Sequence, residues 1–228
     1  MKITIIVPAY NEEVRLPGTL AALRSRRETS HVIVVDDGST DSTSQVARDS
    51  GADEVVTLER NRGKGAALTA GAKAVRDDTD IVVLLDADLG PSATEYVKLL
   101  NAIVADDADM TIGMLPPDPA LVAAGEAGGG AGFVVRLARE GLFRRTGMRF
   151  AQPLSGQRAM KREILTAIGG QFASGFGVEI ALTMAVSDKK YRIKEVETMF
   201  RHRVTGNQWT DILHRGRQFV DVAQVLLK

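Results

Sequence analysis

The sequence predicts an α/β fold built on a doubly wound, mostly parallel sheet flanked by helices. Three observations carry that prediction. Short apolar runs alternate with helical segments along the first 112 residues, the pattern of strand–helix–strand units. The run Ile81-Val82-Val83-Leu84-Leu85 is continuous rather than alternating, as expected for a strand covered on both faces. It leads directly into Asp86-Ala87-Asp88, and open α/β sheets bind ligands outside the carboxyl ends of their strands.

Taken in order, residues 3–7 form the first strand, stopped by Pro8. Asn11-Glu12-Glu13 opens a helix to about Arg24, with Val14, Leu16, Leu20 and Leu23 as its apolar members. Residues 31–35 form the second strand, ending in Asp36-Asp37-Gly38-Ser39, and Asp41 is a candidate N-cap for a helix to about Asp49. Residues 54–58 form the third strand. Asn61-Arg62-Gly63-Lys64-Gly65 leads into an Ala-rich helix ending near Val75. The fourth strand ends at Asp86. Ser92 begins a helix with Tyr96, Leu99, Leu100 and Ile103 at helical spacing, and residues 109–112 form a fifth strand.

The pattern changes after Gly113. Pro116-Pro117-Asp118-Pro119 is a breaker cluster, and Gly125, Gly128, Gly129, Gly130 and Gly132 mark a long loop. In a compact domain such a loop is functional or disordered. Residues 133–143 read as a helix, with arginines at 136, 139, 144 and 145. Residues 162–168 and 178–186 read as two further helices, and 191–196 and 198–204 as two strands or one bent strand. Residues 209–227 read as a helix with Trp209, Ile212, Leu213, Phe219, Val220, Ala223, Leu226 and Leu227 on its apolar face. No internal repeat or clean linker divides the chain. Residues 1–228 are therefore read as one domain with two functional halves, 1–112 and 113–228.

Composition narrows the function classes. The 228 residues are 44% hydrophobic, enough to bury a proper core. Lys+Arg and Asp+Glu each total 29, so no global field draws nucleic acid or a membrane surface. The absence of cysteine excludes disulfides, thiolate metal sites and a cysteine nucleophile. Pro8 interrupts the N-terminal apolar run too early for a signal peptide. No segment approaches the ~18 consecutive apolar residues of a membrane span. The expectation is a soluble cytoplasmic protein.

In a doubly wound sheet four clusters converge on one edge: Pro8-Ala9-Tyr10-Asn11-Glu12, Asp36-Asp37-Gly38-Ser39, Arg62-Gly63-Lys64 and Asp86-Ala87-Asp88. Two hard oxygen ligands at Asp86 and Asp88 suit Mg²⁺ or Mn²⁺, which usually also hold phosphates. Asp-x-Asp alone equally describes a solvated strand-to-loop junction, Tyr10 a core aromatic, and Arg62 with Lys64 a solvated loop. Four such clusters together fit a nucleoside diphosphate with its metal. Asp37 would accept from a base N–H, Tyr10 would stack on the base, and Arg62 or Lys64 would meet a phosphate. Other phosphate-binding patterns fit less well. Gly63-Lys64-Gly65 lacks the spacing and hydroxyl of a P-loop, and no G-x-G-x-x-G follows the first strand. A phospho-receiver domain would leave the last hundred residues unexplained.

Four motifs together spell a known pattern: Ile-Val-Pro-Ala-Tyr-Asn-Glu-Glu (6–13), Val-Val-Asp-Asp-Gly-Ser-Thr-Asp (34–41), Asn-Arg-Gly-Lys-Gly-Ala-Ala (61–67) and Asp-Ala-Asp (86–88). In this order they resemble the family 2 glycosyltransferases, which have the GT-A fold and transfer a sugar from a nucleotide donor. The chain looks like polyprenyl-phosphate mannosyl- and glucosyltransferases. Pro-Leu-Ser-Gly-Gln-Arg-Ala (153–159) and Gly-Phe-Gly-Val-Glu-Ile (175–180) also resemble glucosyl-3-phosphoglycerate synthases. The resemblance implies a nucleoside site lined by Pro8, Ala9, Tyr10 and Glu12, with Asp37 at the base and Gly63 and Lys64 near the nucleotide. It implies that Asp86 and Ala87 bind the nucleotide-sugar, Asp86 contacting ribose or metal, and that Asp88 ligates the metal between the phosphates. Glu179 would face sugar and acceptor, as general base in an inverting enzyme. His202 would complete the metal site; its plainer reading is a surface histidine between Arg201 and Arg203.

Acceptor contacts are implied for Gly129 and Gly130, and for Ser155 and Gly156. Arg136, Arg139, Arg144 and Arg145 would fold with the glycine loop over a phosphorylated acceptor, or else form a solvated basic helix. The expected partners are a nucleotide-sugar donor and a small-molecule or lipid-phosphate acceptor, with no nucleic acid. The 209–227 helix is read as core or as the face of a homodimer, while Arg215, Arg217 and Lys228 leave peripheral lipid contact open. Two alternatives remain at this point. A nucleotidyltransferase making the nucleotide-sugar would want a Gly-rich, Arg-containing loop after the first strand, and Pro8-Ala9-Tyr10-Asn11 is not one. A non-catalytic sugar-nucleotide-binding protein would not need the intact acid set.

Overall fold

Seven strands form one sheet in the order β3-β2-β1-β4-β6-β5-β7. The computed structural model describes residues 1–116, 130–174 and 177–201. The strands are β1 (Ile3–Ala9), β2 (His31–Asp36), β3 (Glu54–Thr57), β4 (Ile81–Leu84), β5 (Met110–Met114), β6 (Arg158–Lys161) and β7 (Ile193–Glu197). β1 pairs in parallel with β2 and β4, β2 with β3, and β5 with β7. β6 is inserted antiparallel between β4 and β5. Strands from both halves of the chain therefore share one sheet.

Pleat alternation divides the core into two layers. On one face Ile5, Val7, Val32, Val34 and Val83 pack against α1 (Leu16–Arg24), α2 (Thr43–Asp49) and α4 (Tyr96–Val104). On the other face Ile6, Ile33, Val35, Val82 and Leu84 meet α3 (Lys64–Ala74), α5 (Gly130–Thr146), α6 (Arg162–Ala167) and α7 (Val178–Asp188). All four residues of β4 are buried, as the unbroken apolar run predicts. α3 lies close to the sheet because Gly71 has no side chain; a Cβ there would stand 2.5 Å from the Ile6 Cγ2.

Several expectations are corrected. β1 does not stop at Pro8 but runs through it to Ala9. β4 pairs with β1 only as far as Ile6, so the missing N–H of Pro8 faces a side where the ladder has ended. The first helix begins at Leu16 rather than at Asn11; Asn11 has a positive φ of 53°, outside the helical region. Asp41 sits one residue before the N-cap position, yet its carboxylate still accepts from Thr43 N at 3.0 Å. A 3₁₀ turn, Gly90–Glu95, precedes α4. Gly130 and Gly132 belong to the start of α5, not to a loop. Residues 198–200 are not strand, so 191–204 is not one bent strand over its described part. The strand β6 was not expected at all. The 209–227 helix and residues 202–204 lie outside the described residues.

Candidate active site

The parallel strands bring their carboxyl ends to one edge, and the antiparallel β6 brings its amino end to the same edge. Register pairs Leu84 with Arg158, so the residues after β4 meet the residues before β6. Asp86 consequently faces Gly156 and Gln157. The Gln157 carboxamide accepts from the Asp86 N–H at 3.1 Å and donates to Asp86 Oδ2 at 2.6 Å. Lys64 Nζ donates to the other oxygen, Asp86 Oδ1, at 2.7 Å. Gly156 is required by this closeness, because a Cβ there would run into Lys64 Nζ and lie 3.2 Å from Asp86 Oδ2.

Lys64 is the first residue of α3 and joins a second carboxylate, Glu179 Oε1, at 3.0 Å. Glu179 sits in the first turn of α7, where helix geometry favours an acid. Burial works against the Lys64 charge, but Asp86 and Glu179 outweigh it and hold the ammonium above its ordinary pKa. Glu179 is the more enclosed partner, its side chain keeping 12% of its exposure against 31% for Lys64.

The approach of Lys64 is fixed from behind by Asp37, which is 4% exposed. Its two oxygens accept from the backbone N–H groups of Arg62, at 2.8 Å, and Gly63, at 2.7 Å. Gly63 has a φ of 87°, which a side chain rarely adopts. Asp37 thus shapes the 61–64 loop, and a carboxylate has further lone pairs to offer a ligand. The neighbouring Asp36 accepts from Ser39 N at 2.9 Å and from the Ser44 hydroxyl. Asn11 ties the first loop to the second: its Oδ1 accepts from Thr40 N at 2.9 Å, and its N–H donates to Ser39 Oγ at 2.9 Å. Tyr10 is 43% exposed beside them, a free aromatic face rather than a core ring. Glu12 pairs with Arg15 at 2.6 Å. Pro8 and Ala9 supply the floor at the end of β1.

Asp88 is half-buried in the turn after β4. The turn is held by Thr19 of α1, whose hydroxyl donates to Ala87 O at 2.7 Å and accepts from Gly90 N at 2.9 Å. Ala87 is buried beneath it. Among the described residues no group of three or more His, Cys, Asp or Glu side chains could hold a metal ion. Asp86 and Asp88 are nevertheless the hard oxygen donors that Mg²⁺ or Mn²⁺ accepts when substrate phosphates complete the coordination. Asp86 has both oxygens bonded, Oδ1 to Lys64 and Oδ2 to Gln157. His202 lies outside the described residues, as does Gly129.

Ser155, expected to contact the acceptor, is 7% exposed and its carbonyl accepts from Arg158 Nε at 3.0 Å. Arg158 is 1% exposed and also donates to Pro153 O and Thr183 Oγ1, at 3.0 and 2.9 Å. Burial lowers its pKa to about 10 against the opposing pull of Glu179 and Glu195. It staples the 153–155 turn to α7, which carries Glu179. Arg136, Arg139, Arg144 and Arg149 line a groove of about 990 Å³ together with Glu140 and Glu195, and Arg144 pairs with Glu140 at 2.7 Å. Arg145 turns away and pairs with Asp188 at 3.1 Å. Gln157 and Arg158 were missed as site-building residues, although both stand in the quoted 153–159 motif.

Residues 4–123 match the family described as glycosyl transferase family 2, and the chain belongs to that family. Its fold is the GT-A fold. It is similar to human dolichyl-phosphate beta-glucosyltransferase, 41% identical over 113 residues, covering 43% of this chain and 34% of that protein. It is also similar to the glucosyl-3-phosphoglycerate synthase of Mycolicibacterium paratuberculosis, 32% identical over 206 residues, covering 82% of this chain and 60% of that one. A crystal structure of the Mycobacterium tuberculosis glucosyl-3-phosphoglycerate synthase with Mn²⁺, UDP and phosphoglyceric acid superposes with a TM-score of 0.78. That pair is 30% identical, over 99% of this chain and 77% of the other. The match thus spans about a third to 60% of the length of these curated relatives. No helix among the described residues is long and apolar enough to cross a membrane.

Proposed function

We propose that the chain is a metal-dependent glycosyltransferase that moves a hexose from a UDP-sugar to a small phosphorylated hydroxy acid. The observation that carries the reading is the convergence of Asp86, Lys64 and Glu179 in one charge network at the end of β4, with Asp88 two residues on. Its roles extend the resemblance. Pro8, Ala9, Tyr10 and Glu12 line the nucleoside pocket, and Asp37 with Gly63 frames it. Lys64 offers its charge to the diphosphate. Asp86 takes the ribose or the metal, and Asp88 the metal, with His202 as a further ligand. A bound Mg²⁺ or Mn²⁺ supplies Lewis-acid stabilisation of the leaving diphosphate. Gly129, Gly130, Ser155 and Gly156 line the acceptor side.

The acceptor class follows from Glu179. A hydroxyl acceptor must lose a proton as its oxygen bonds to the anomeric carbon, while the bond to the diphosphate breaks and UDP leaves with the electron pair. In an inverting transfer Glu179 takes that proton. A polyprenyl phosphate attacks through an oxygen that is already anionic and needs no such base. An enclosed carboxylate in the site therefore favours the hydroxy acid. The test is transfer from UDP-glucose with Mn²⁺ to 3-phosphoglycerate and, in parallel, to polyprenyl phosphate in detergent. Product from the first acceptor is expected. Product from the second alone would overturn the acceptor assignment. UDP binding without turnover on either acceptor or water would favour a non-catalytic sugar-nucleotide-binding protein.

A further inference from the structure

We infer that Gln157 is a positioning residue for the donor site, setting the carboxylate of Asp86 through its side-chain amide; this rests on the function proposed above. The ladder between β4 and β6 pairs Leu84 with Arg158 and goes no further. Leu85 N is bonded to Ile6 O on β1, at 3.1 Å. The N–H of Asp86 is the next group needing a partner at a buried strand end. Gln157 Oε1 supplies it. A carboxamide carries the same donor and acceptor as a peptide group, so the side chain continues the ladder one step beyond the backbone.

The same amide then reaches the functional group. Its Nε2 donates to Asp86 Oδ2 at 2.6 Å, opposite the Lys64 bond to Oδ1. With Lys64 donating to one oxygen, Gln157 to the other and the backbone N–H held as well, the carboxylate is fixed against rotation. The two donors differ in kind. Lys64 is charged, shared with Glu179, and is itself attracted by a diphosphate. Gln157 is neutral and fully buried, and its backbone carbonyl accepts from Gly113 N of β5 at 2.8 Å. It keeps Asp86 in place when a diphosphate draws Lys64 away. Groups that hold a ligand must themselves be locked by such supporting bonds, and loss of such a partner typically costs 10–100-fold in metal affinity or activity.

The test is calorimetric titration of UDP with Mn²⁺ into the wild type, Gln157→Leu and Gln157→Glu. The leucine removes the two hydrogen bonds to Asp86; the glutamate keeps the shape and sets a carboxylate against Asp86 Oδ2. A dissociation constant raised tenfold or more, at one-to-one stoichiometry, is expected for both. The stoichiometry separates positioning from mere structural support, which would lower the binding-competent fraction and leave the affinity unchanged. An unchanged affinity in the folded protein overturns the inference, and the near-isosteric Gln157→Glu decides it should the leucine variant not fold. A wild type that binds no UDP with Mn²⁺ overturns the proposed function and this inference together. Wild-type binding with unaltered variants overturns the inference alone.

Discussion

Replacing Asp88 by alanine is expected to abolish donor hydrolysis and sugar transfer while leaving the fold intact. Charge develops on the diphosphate as it leaves, and metal stabilisation of that charge amounts to several kcal/mol. Every 1.36 kcal/mol lost from transition-state stabilisation is a factor of ten, so a loss of roughly three orders of magnitude or more follows. The fold is expected to survive because the turn has anchors besides Asp88. Thr19 clamps Ala87 O and Gly90 N, and the buried Ala87 and Leu89 anchor the segment in the core. Release of sugar and UDP from UDP-glucose, measured alongside a thermal melt, checks both halves. Full activity in Asp88→Ala would remove the metal from the account.

Glu179→Gln is expected to lower the turnover number on a hydroxyl acceptor by about 10²–10⁴, the usual share of a general base. Binding of UDP with Mn²⁺ should persist, because Glu179 is joined to Asp86 through Lys64, which keeps its own bond to Asp86. The substitution keeps the side chain's shape and leaves Lys64 paired with Asp86 at 2.7 Å. Steady-state kinetics with a titration of UDP separates the two effects. An unchanged turnover number would exclude Glu179 from proton transfer. A lost affinity for UDP would instead mean that Glu179 serves chiefly to hold Lys64.

The first half of the chain was largely legible because its signals are local. Short strands of four to seven residues with apolar centres marked β1 to β5, the first, second and fourth closed by polar clusters, and parallel topology then required their ends to converge. Asp86, Asp88, Lys64 and Asp37 could be placed together on that rule alone. What the rule did not reach depends on contacts distant in sequence. β6 is four residues long and contains both Arg158 and Lys161, so it has neither an apolar run nor a clean alternation. A fully buried arginine is rare and cannot be expected from sequence. Gln157 acquires its role only because β6 runs antiparallel beside β4. The pairing of Lys64 with Glu179, and the choice of Arg149 over Arg145 in the arginine groove, likewise arise from packing of α7 and α5 that no periodicity encodes. Pro8 misled for a related reason, since whether a proline ends a strand depends on how far its neighbour extends.

The central claim is that the edge at Asp86 and Asp88 clamps the diphosphate of a UDP-sugar through a divalent metal. Thermal unfolding with UDP-, GDP- and ADP-glucose, each with and without Mn²⁺, tests it most directly. A ligand present at a hundredfold excess over its dissociation constant stabilises the folded state by about 2.7 kcal/mol. For a chain of this size that corresponds to a rise of roughly 5–10 °C in Tm. Such a rise is expected for UDP-glucose with Mn²⁺, sharply reduced when the metal is chelated. A rise equal with and without metal, or none with any of the nucleotide-sugars, would contradict it.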